Sequence, residues 1–241
     1  MANVLLIIRR ELGALLQTPS GYVIAACILL VNGIFFNARA VGAAPRLSSE
    51  VLQQFLIDAG GTTMLAAVLL SMRLLAEERA TGTQVLLFTS PLKEREIVLG
   101  KFIAALTFLS VLVLLSLYLP ALIFINGKVS LGHIAAGYLG MLLLGASTLA
   151  VGLFASSLVK NQLMAVILAA VFVTMLELCW WIAQVTDAPF STLVAYFAPY
   201  MKHFHPFRRG MVQLSDIIFY ISVIYFSLLA STRVLQSQRW Q

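Results

Sequence analysis

The sequence predicts an all-α polytopic membrane protein: six transmembrane helices, an N-terminal amphipathic helix at the membrane interface, and a short helix in a cytoplasmic loop. Three observations lead there. Of 241 residues, 61% are hydrophobic and 11% charged, against roughly 25% charged in an ordinary soluble domain, which excludes a soluble monomer. Cutting the chain at its charges leaves six apolar runs close to the roughly 20 residues that a spanning helix needs. The basic residues, 16 Lys and Arg against 10 Asp and Glu, fall mostly on one side of those runs.

Residues 1–18 form the interfacial helix. Asn3, Arg10, Gly13 and Gln17 share one helical face, while Leu5, Ile8, Leu12, Leu15 and Leu16 cover the other, a pattern suited to lying in the interface plane. Pro19 and Ser20 open the first span, 20–37. That run is too long for a signal-peptide core and lacks a small-x-small cleavage site, so it is expected to stay in the mature protein. The other spans are 60–76, which contains Arg73, then 102–125, 132–157, 162–185 after Asn161, and 217–234. A loop over 77–100 and an outer segment over 186–216 complete a single transmembrane domain.

An even number of spans puts both termini on one side, and the positive-inside rule selects it. With the termini in the cytoplasm, that side holds Arg9, Arg10, Arg73, Arg79, Lys93, Arg95, Lys101, Lys160, Arg233 and Arg239. The outer side holds Arg39, Arg46, Lys128, Lys202, Arg208 and Arg209.

Most catalytic classes are excluded by absence. Gly100-Lys101 has Arg95 where a phosphate-binding loop needs its first glycine and Phe102 where it needs a hydroxyl, so the chain has no nucleotide site of its own. There is no H-E-x-x-H and no G-x-S-x-G. His203 and His205 lack nearby carboxylates or cysteines in the sequence and are read with Tyr196, Phe197, Tyr200, Phe204 and Phe207 as an interfacial aromatic belt, with no metal. Cys27 and Cys179 lie in apolar runs and are read as packing residues. The segments outside the spans are too short for an independent catalytic domain, and the basic excess is explained by membrane orientation, with no nucleic-acid partner.

Glu177 is the carboxylate well inside a span. Burying an acid near the bilayer centre costs about 3 kcal/mol, so Glu177 is read either as a substrate or proton pathway residue or as an outer-surface carboxylate beside Trp180 and Trp181, paired with a cation. Arg73 lies one turn before Glu77 and can snorkel to the cytoplasmic surface. In the loop, Glu77, Glu78 and Arg79 carry the chain out of the bilayer and Thr81-Gly82-Thr83 breaks it. Val85-Leu86-Leu87-Phe88 can form a short apolar helix, and Ser90-Pro91 restarts a helix with proline at its first position. A short helix with an exposed apolar face between charged clusters suits a groove on another protein, or else lies on lipid.

These residues resemble a known family, the small permeases of ABC-2 type ABC exporters. The likeness rests on Met72-Arg73, Ala76-Glu77-Glu78-Arg79, Thr81-Gly82-Thr83, Leu86-Leu87, Ser90-Pro91 and Gly100-Lys101. It extends to Arg10-Glu11-Leu12 with Pro19 and Tyr22, and to His203-Phe204, Phe207, Arg209-Gly210, Asp216 and Arg239-Trp240. Within the family the chain looks closest to short permeases of gliding motility, and more distantly to those of nitrous-oxide-reductase maturation. The resemblance implies a bacterial inner-membrane permease with a separate cytoplasmic ABC ATPase in two copies. That ATPase would carry the ATP and Mg, and this chain would bind no cofactor. It implies a second permease copy or homologue, and leaves room for an additional membrane or periplasmic subunit.

The implied ATPase-coupling residues are Glu77, Glu78, Arg79, Gly82, Thr83, Leu86, Leu87 and Pro91, which makes the loop helix a coupling helix, with Arg9, Arg10 and Glu11 on the N-terminal helix. The carboxylates would pair with cations of the ATPase. Small residues at Gly145, Gly152, Ser156, Ala165 and Ala169 would permit close helix contact. A membrane anchor using an ATPase for mechanical or signalling work shares all these features. A secondary transporter or channel would have Glu177 and Arg73 as its intramembrane charges.

Overall fold

A computed structural model describes residues 2–41, 47–82, 93–127 and 129–239. All regular structure among the described residues is helical. Helix α1 (Ala2–Gln17) stops at Thr18, which is extended, and Pro19 opens α2 (Pro19–Phe35). The missing proline N–H costs nothing at a first turn. A π-helical segment, Phe36–Val41, continues α2.

Helix α3 (Ser48–Ser71) begins well before the expected boundary near residue 60. Asp58 lies inside it, where Arg39 Nη1 donates to its Oδ1 at 2.7 Å and Gln54 Nε2 to its Oδ2 at 3.2 Å. A paired, hydrogen-bonded carboxylate can stay inside a helix. The short α4 (Ala76–Ala80) follows, and then α5 (Glu94–Leu115). Lys93 is extended and its amide donates to Glu96 Oε2 at 3.1 Å, so α5 starts at Glu94 and residues 94–100 belong to a span instead of the loop, while the helix start expected at Pro91 lies outside the described residues. The expected helix at Val85–Phe88 lies outside the described residues.

The third apolar run is broken. Pro120 has no N–H to return to Ser116, so α5 ends and α6 (Tyr118–Asn126) begins with a shift. Ser116 Oγ donates to Val113 O and lies 2.9 Å from the Tyr138 hydroxyl. Helix α7 (Leu131–Leu158) is capped by Ser130, and α8 (Gln162–Val185) by Asn161. The segment read as outer packs on the distal end of the bundle as α9 (Phe190–Ala195), a π-helical stretch Pro199–Phe204 and α10 (His205–Arg208). Helix α11 (Leu214–Arg239) ends the described chain.

Six stretches are long and apolar enough to cross a membrane: Gly21–Arg39, Ser48–Ala80, Glu94–Ile125, Leu131–Leu158, Gln162–Val185 and Leu214–Gln238. Helix α7 is the axis of the bundle, with 78% of its apolar stretch buried against 11% for α8; α3, α5, α8 and α11 pack around it. The anticipated small residues stand at its tight contacts. A Cβ on Gly145 would sit 2.8 Å from Leu109, Gly152 faces Ser71, and Ala165 and Ala169 of α8 are fully buried. The outer flanks carry exposed Leu, Ile, Val and Phe side chains, which a lipid environment satisfies.

Candidate functional site

The polar contacts of the bundle gather at its two ends. The terminal end brings together α1, α4, the start of α5 and the ends of α7 and α11. Its centre is Lys101, 2% exposed, whose Nζ lies 3.1 Å from Glu11 Oε1 and 2.9 Å from Glu78 Oε1. Arg10 Nη2 closes the ring, 3.0 Å from Glu11 and 3.2 Å from Glu78. Lys101 and the two carboxylates are thus neutralised across three elements, which is the condition for burying them, while Arg10 closes the ring from the exposed side.

The Gly100-Lys101 pair explains itself in this setting. A Cβ on Gly100 would lie 2.7 Å from Ile7 Cγ2, so glycine lets α1 settle on α5, and the next residue then ties α1 to α4. Each member of Glu77-Glu78-Arg79 addresses a different neighbour. Arg73 donates twice to Glu77, from Nε at 2.9 Å and Nη2 at 3.0 Å. Glu78 holds Lys101 and Arg10. Arg79 donates to Val159 O at 3.1 Å, to Ser157 O at 2.6 Å, and to Gln238 on α11. The Leu75 and Ala76 amides donate to Ser156 Oγ at 3.2 and 3.0 Å, so a serine of α7 caps α4 across more than seventy residues of chain.

Glu78 and Arg79, expected at or beside the ATPase contact, are both engaged within the chain. Glu78 is buried and paired within the chain, and Arg79 is bound to the ends of α7 and α11. Arg73 is bound to Glu77. Thr81 Oγ1 donates to Glu77 O at 2.9 Å, and Gly82 follows at φ +73°, a left-handed conformation that glycine adopts without strain. Thr83, Leu86, Leu87 and Pro91 lie outside the described residues. Arg9 and Arg10 are exposed, and Glu11 is turned inward. Ser156, Gln238 and Lys101 were missed as participants, because a residue that acts through a distant element leaves no local sequence signal.

At the distal end Glu177 takes a role that neither sequence reading gave it. Its carboxylate accepts the Tyr200 amide at 2.8 Å and the Met201 amide at 3.4 Å. It thereby serves the open N-terminus of the Pro199–Phe204 turn, where unsatisfied amides and the helix dipole favour an anion. Tyr200 Oη donates to Ile57 O and Tyr220 Oη to Pro199 O, both at 2.7 Å. Burial pushes the Tyr200 phenol up to about 12, so it remains a donor.

His203 is buried, 2.7 Å from Asp216 Oδ1 and 3.0 Å from Tyr196 O, and stacks on Phe219. Phe204 and Phe207 are buried as well. Of the proposed aromatic belt, Tyr196 and Phe197 are exposed, while these three rings form core.

Between α2 and α3 runs a groove of about 440 Å3, floored by apolar residues such as Ile28, Val31 and Leu65 and closed distally by Arg39, Asp58 and Tyr200. Cys27 lines it and is exposed, which corrects its reading as a packing residue. Asn32 accepts a hydrogen bond from Thr62 at 2.5 Å beside this groove.

A bundle that confines its charges to its two ends and leaves its flanks apolar is a multi-pass membrane protein. The family within that class comes from nearly the full length of the bundle: residues 22–238 match the ABC-2 family transporter proteins, and the chain belongs to that family. It is thus of the permease class of ABC transporter subunits. A comparison with curated proteins returns no match. The family match begins in α2, so the role of α1 rests on its contacts with α4 and α5.

Proposed function

We propose that this chain is the permease subunit through which a separate cytoplasmic ABC ATPase drives export or extraction of a substrate across the bacterial inner membrane. Both termini and the 77–93 loop lie on the cytoplasmic side in this reading, as the excess of Lys and Arg on that side supports. The ATPase, in two copies, carries the ATP and Mg, and the permease works with a second permease copy.

The observation that carries the proposal is the elbow at Glu77-Glu78-Arg79. Its three side chains and its Ser156 cap connect α4 to Arg73 in the turn after α3 and to α1, α5, α7 and α11. A partner pulling on the loop that leaves this elbow acts on most of the bundle at once. Closure of two ATPase subunits is a rigid-body movement of the kind that tilts attached helices. The elbow therefore transmits force, and the partner contact falls to Gly82, Thr83, Leu86, Leu87 and Pro91 beyond it and to Arg9 on the exposed face of α1.

Purification of the tagged protein in mild detergent, with mass spectrometry of bound proteins and an ATPase assay, tests this. A stoichiometric ATPase with vanadate-sensitive turnover is expected. An ATPase-free preparation, reproduced after crosslinking in the membrane, would overturn the proposal.

A further inference from the structure

A second groove, of about 220 Å3, lies between α5 and α11 at the terminal end of the bundle. Its lining is ordered along both helices. On α5, Arg95 precedes Leu99 by one turn. On α11, Tyr225, Leu229 and Arg233 follow one another at four-residue steps, and so share a face. The two helices run in opposite directions, yet both put an arginine toward the chain termini and apolar side chains toward the middle of the span. Thr232 also lines the groove, but its hydroxyl donates to Leu228 O at 2.8 Å.

Arg95 and Arg233 are both exposed, and neither has a carboxylate partner among the described residues. At the same end Arg10, Arg73 and Lys101 are paired with Glu11, Glu77 or Glu78. Two exposed guanidinium groups lining one groove give it a positive rim that attracts an anion. The apolar floor belongs to the membrane-crossing lengths Glu94–Ile125 and Leu214–Gln238, with Leu99 and Leu229 each 42% exposed and Tyr225 61%. An acidic peptide would satisfy the arginines and leave that floor uncovered. The complementary molecule has an anionic head and an acyl tail.

We propose that the α5–α11 groove binds an anionic phospholipid, its phosphate between Arg95 and Arg233 and the upper part of one chain along Leu99, Tyr225 and Leu229. Basic pockets between membrane helices hold anionic headgroups in this way. The groove is small against the roughly 300–1,000 Å3 of pockets that enclose whole ligands, so the rest of the lipid stays in the bilayer and exchanges with it. The site adds to the transport reading and does not require it, because it uses neither the loop nor the ATPase.

The test uses the full-length protein in detergent, titrated with phosphatidylglycerol, phosphatidylcholine or inorganic phosphate, with thermal unfolding and native mass spectrometry as readouts. Phosphatidylglycerol should be retained and raise the unfolding temperature, while the other two should not. Arg95→Gln combined with Arg233→Gln should weaken phosphatidylglycerol binding about tenfold or more, as loss of two interfacial cations implies. Leu229→Asp, which keeps both arginines, should weaken it as well.

Equal retention of phosphatidylcholine, full competition by inorganic phosphate, or undiminished phosphatidylglycerol binding in the double variant would overturn the proposal. So would release of a bound ATPase by the double variant with lipid binding unchanged, since the groove would then be a protein contact.

Discussion

Single side chains decide whether the ends of the bundle hold. Lys101 neutralises Glu11 and Glu78 at 2% exposure, and removing one member of a buried ion set costs about 3–5 kcal/mol because its partners stay buried and charged. Lys101→Ala is expected to lower stability by that order in thermal unfolding, and an unchanged unfolding temperature would show that α1 does not depend on the set. Glu177 is expected to behave as a structural acceptor. Glu177→Ala should cost about 2 kcal/mol, in the range for hydrogen bonds to a charged group, and Glu177→Gln, which keeps one acceptor oxygen, should cost less. Loss of transport in the glutamine variant at unchanged stability would return Glu177 to the pathway.

His205 offers a pH readout. Burial, and then Arg208 and Arg209, hold its imidazole below the usual histidine range. The unfolded chain therefore binds the proton first, and this contribution is full above about 6.5 and is lost as pH falls through the lowered folded value. His205→Gln should flatten that acid limb of a stability–pH curve.

Helices show most clearly what the sequence could and could not reveal. The spans after Ser130 and Asn161 were legible because a capping residue precedes each apolar run. The start of α3 was not, since Asp58 reads as a surface charge until Arg39, on another helix, is seen to neutralise it. Pro120 in the third run carries a break that composition alone passes over. The distal segment looked like an outer loop because its aromatic residues fit an interface as well as a core; only packing against α3 and α7 decides, with Gly60 and Gly140 making room for Phe204 and Phe207.

Two element-scale substitutions test the terminal end. Gly100→Val places side-chain atoms inside Ile7 and should displace α1 at a cost of about 1–3 kcal/mol, seen as faster proteolysis at Arg9 and Arg10. Gly82→Val forces φ +73° on a β-branched residue and should leave insertion intact while ATP turnover is no longer coupled to transport. Coupled turnover at the wild-type rate would show that the turn at Gly82 is dispensable.

The molecule as a whole is an axis, α7, wrapped by helices whose outer faces are apolar, with one charge network at each end. The terminal network joins α1, α4, α5, α7 and α11, while the distal one joins the start of α3, the end of α8 and the returning Pro199–Phe204 segment. The two ends are connected by α3, α7 and α8, which are packed against one another. This is the arrangement expected of a permease driven from one side.

Of this, the six spans were readable from apolar length, and a common side for both termini from their even number. The inward turn of Glu78 and Arg79 was not, because their partners lie on other helices. The most direct test places a photocrosslinking residue at Leu86, in the loop beyond the elbow, or at Val212, at the distal end, and illuminates intact cells. Capture of an ABC ATPase from position 86 and not from position 212 is the predicted result. Capture from 212, or from neither position in cells where the ATPase is expressed, would contradict the account.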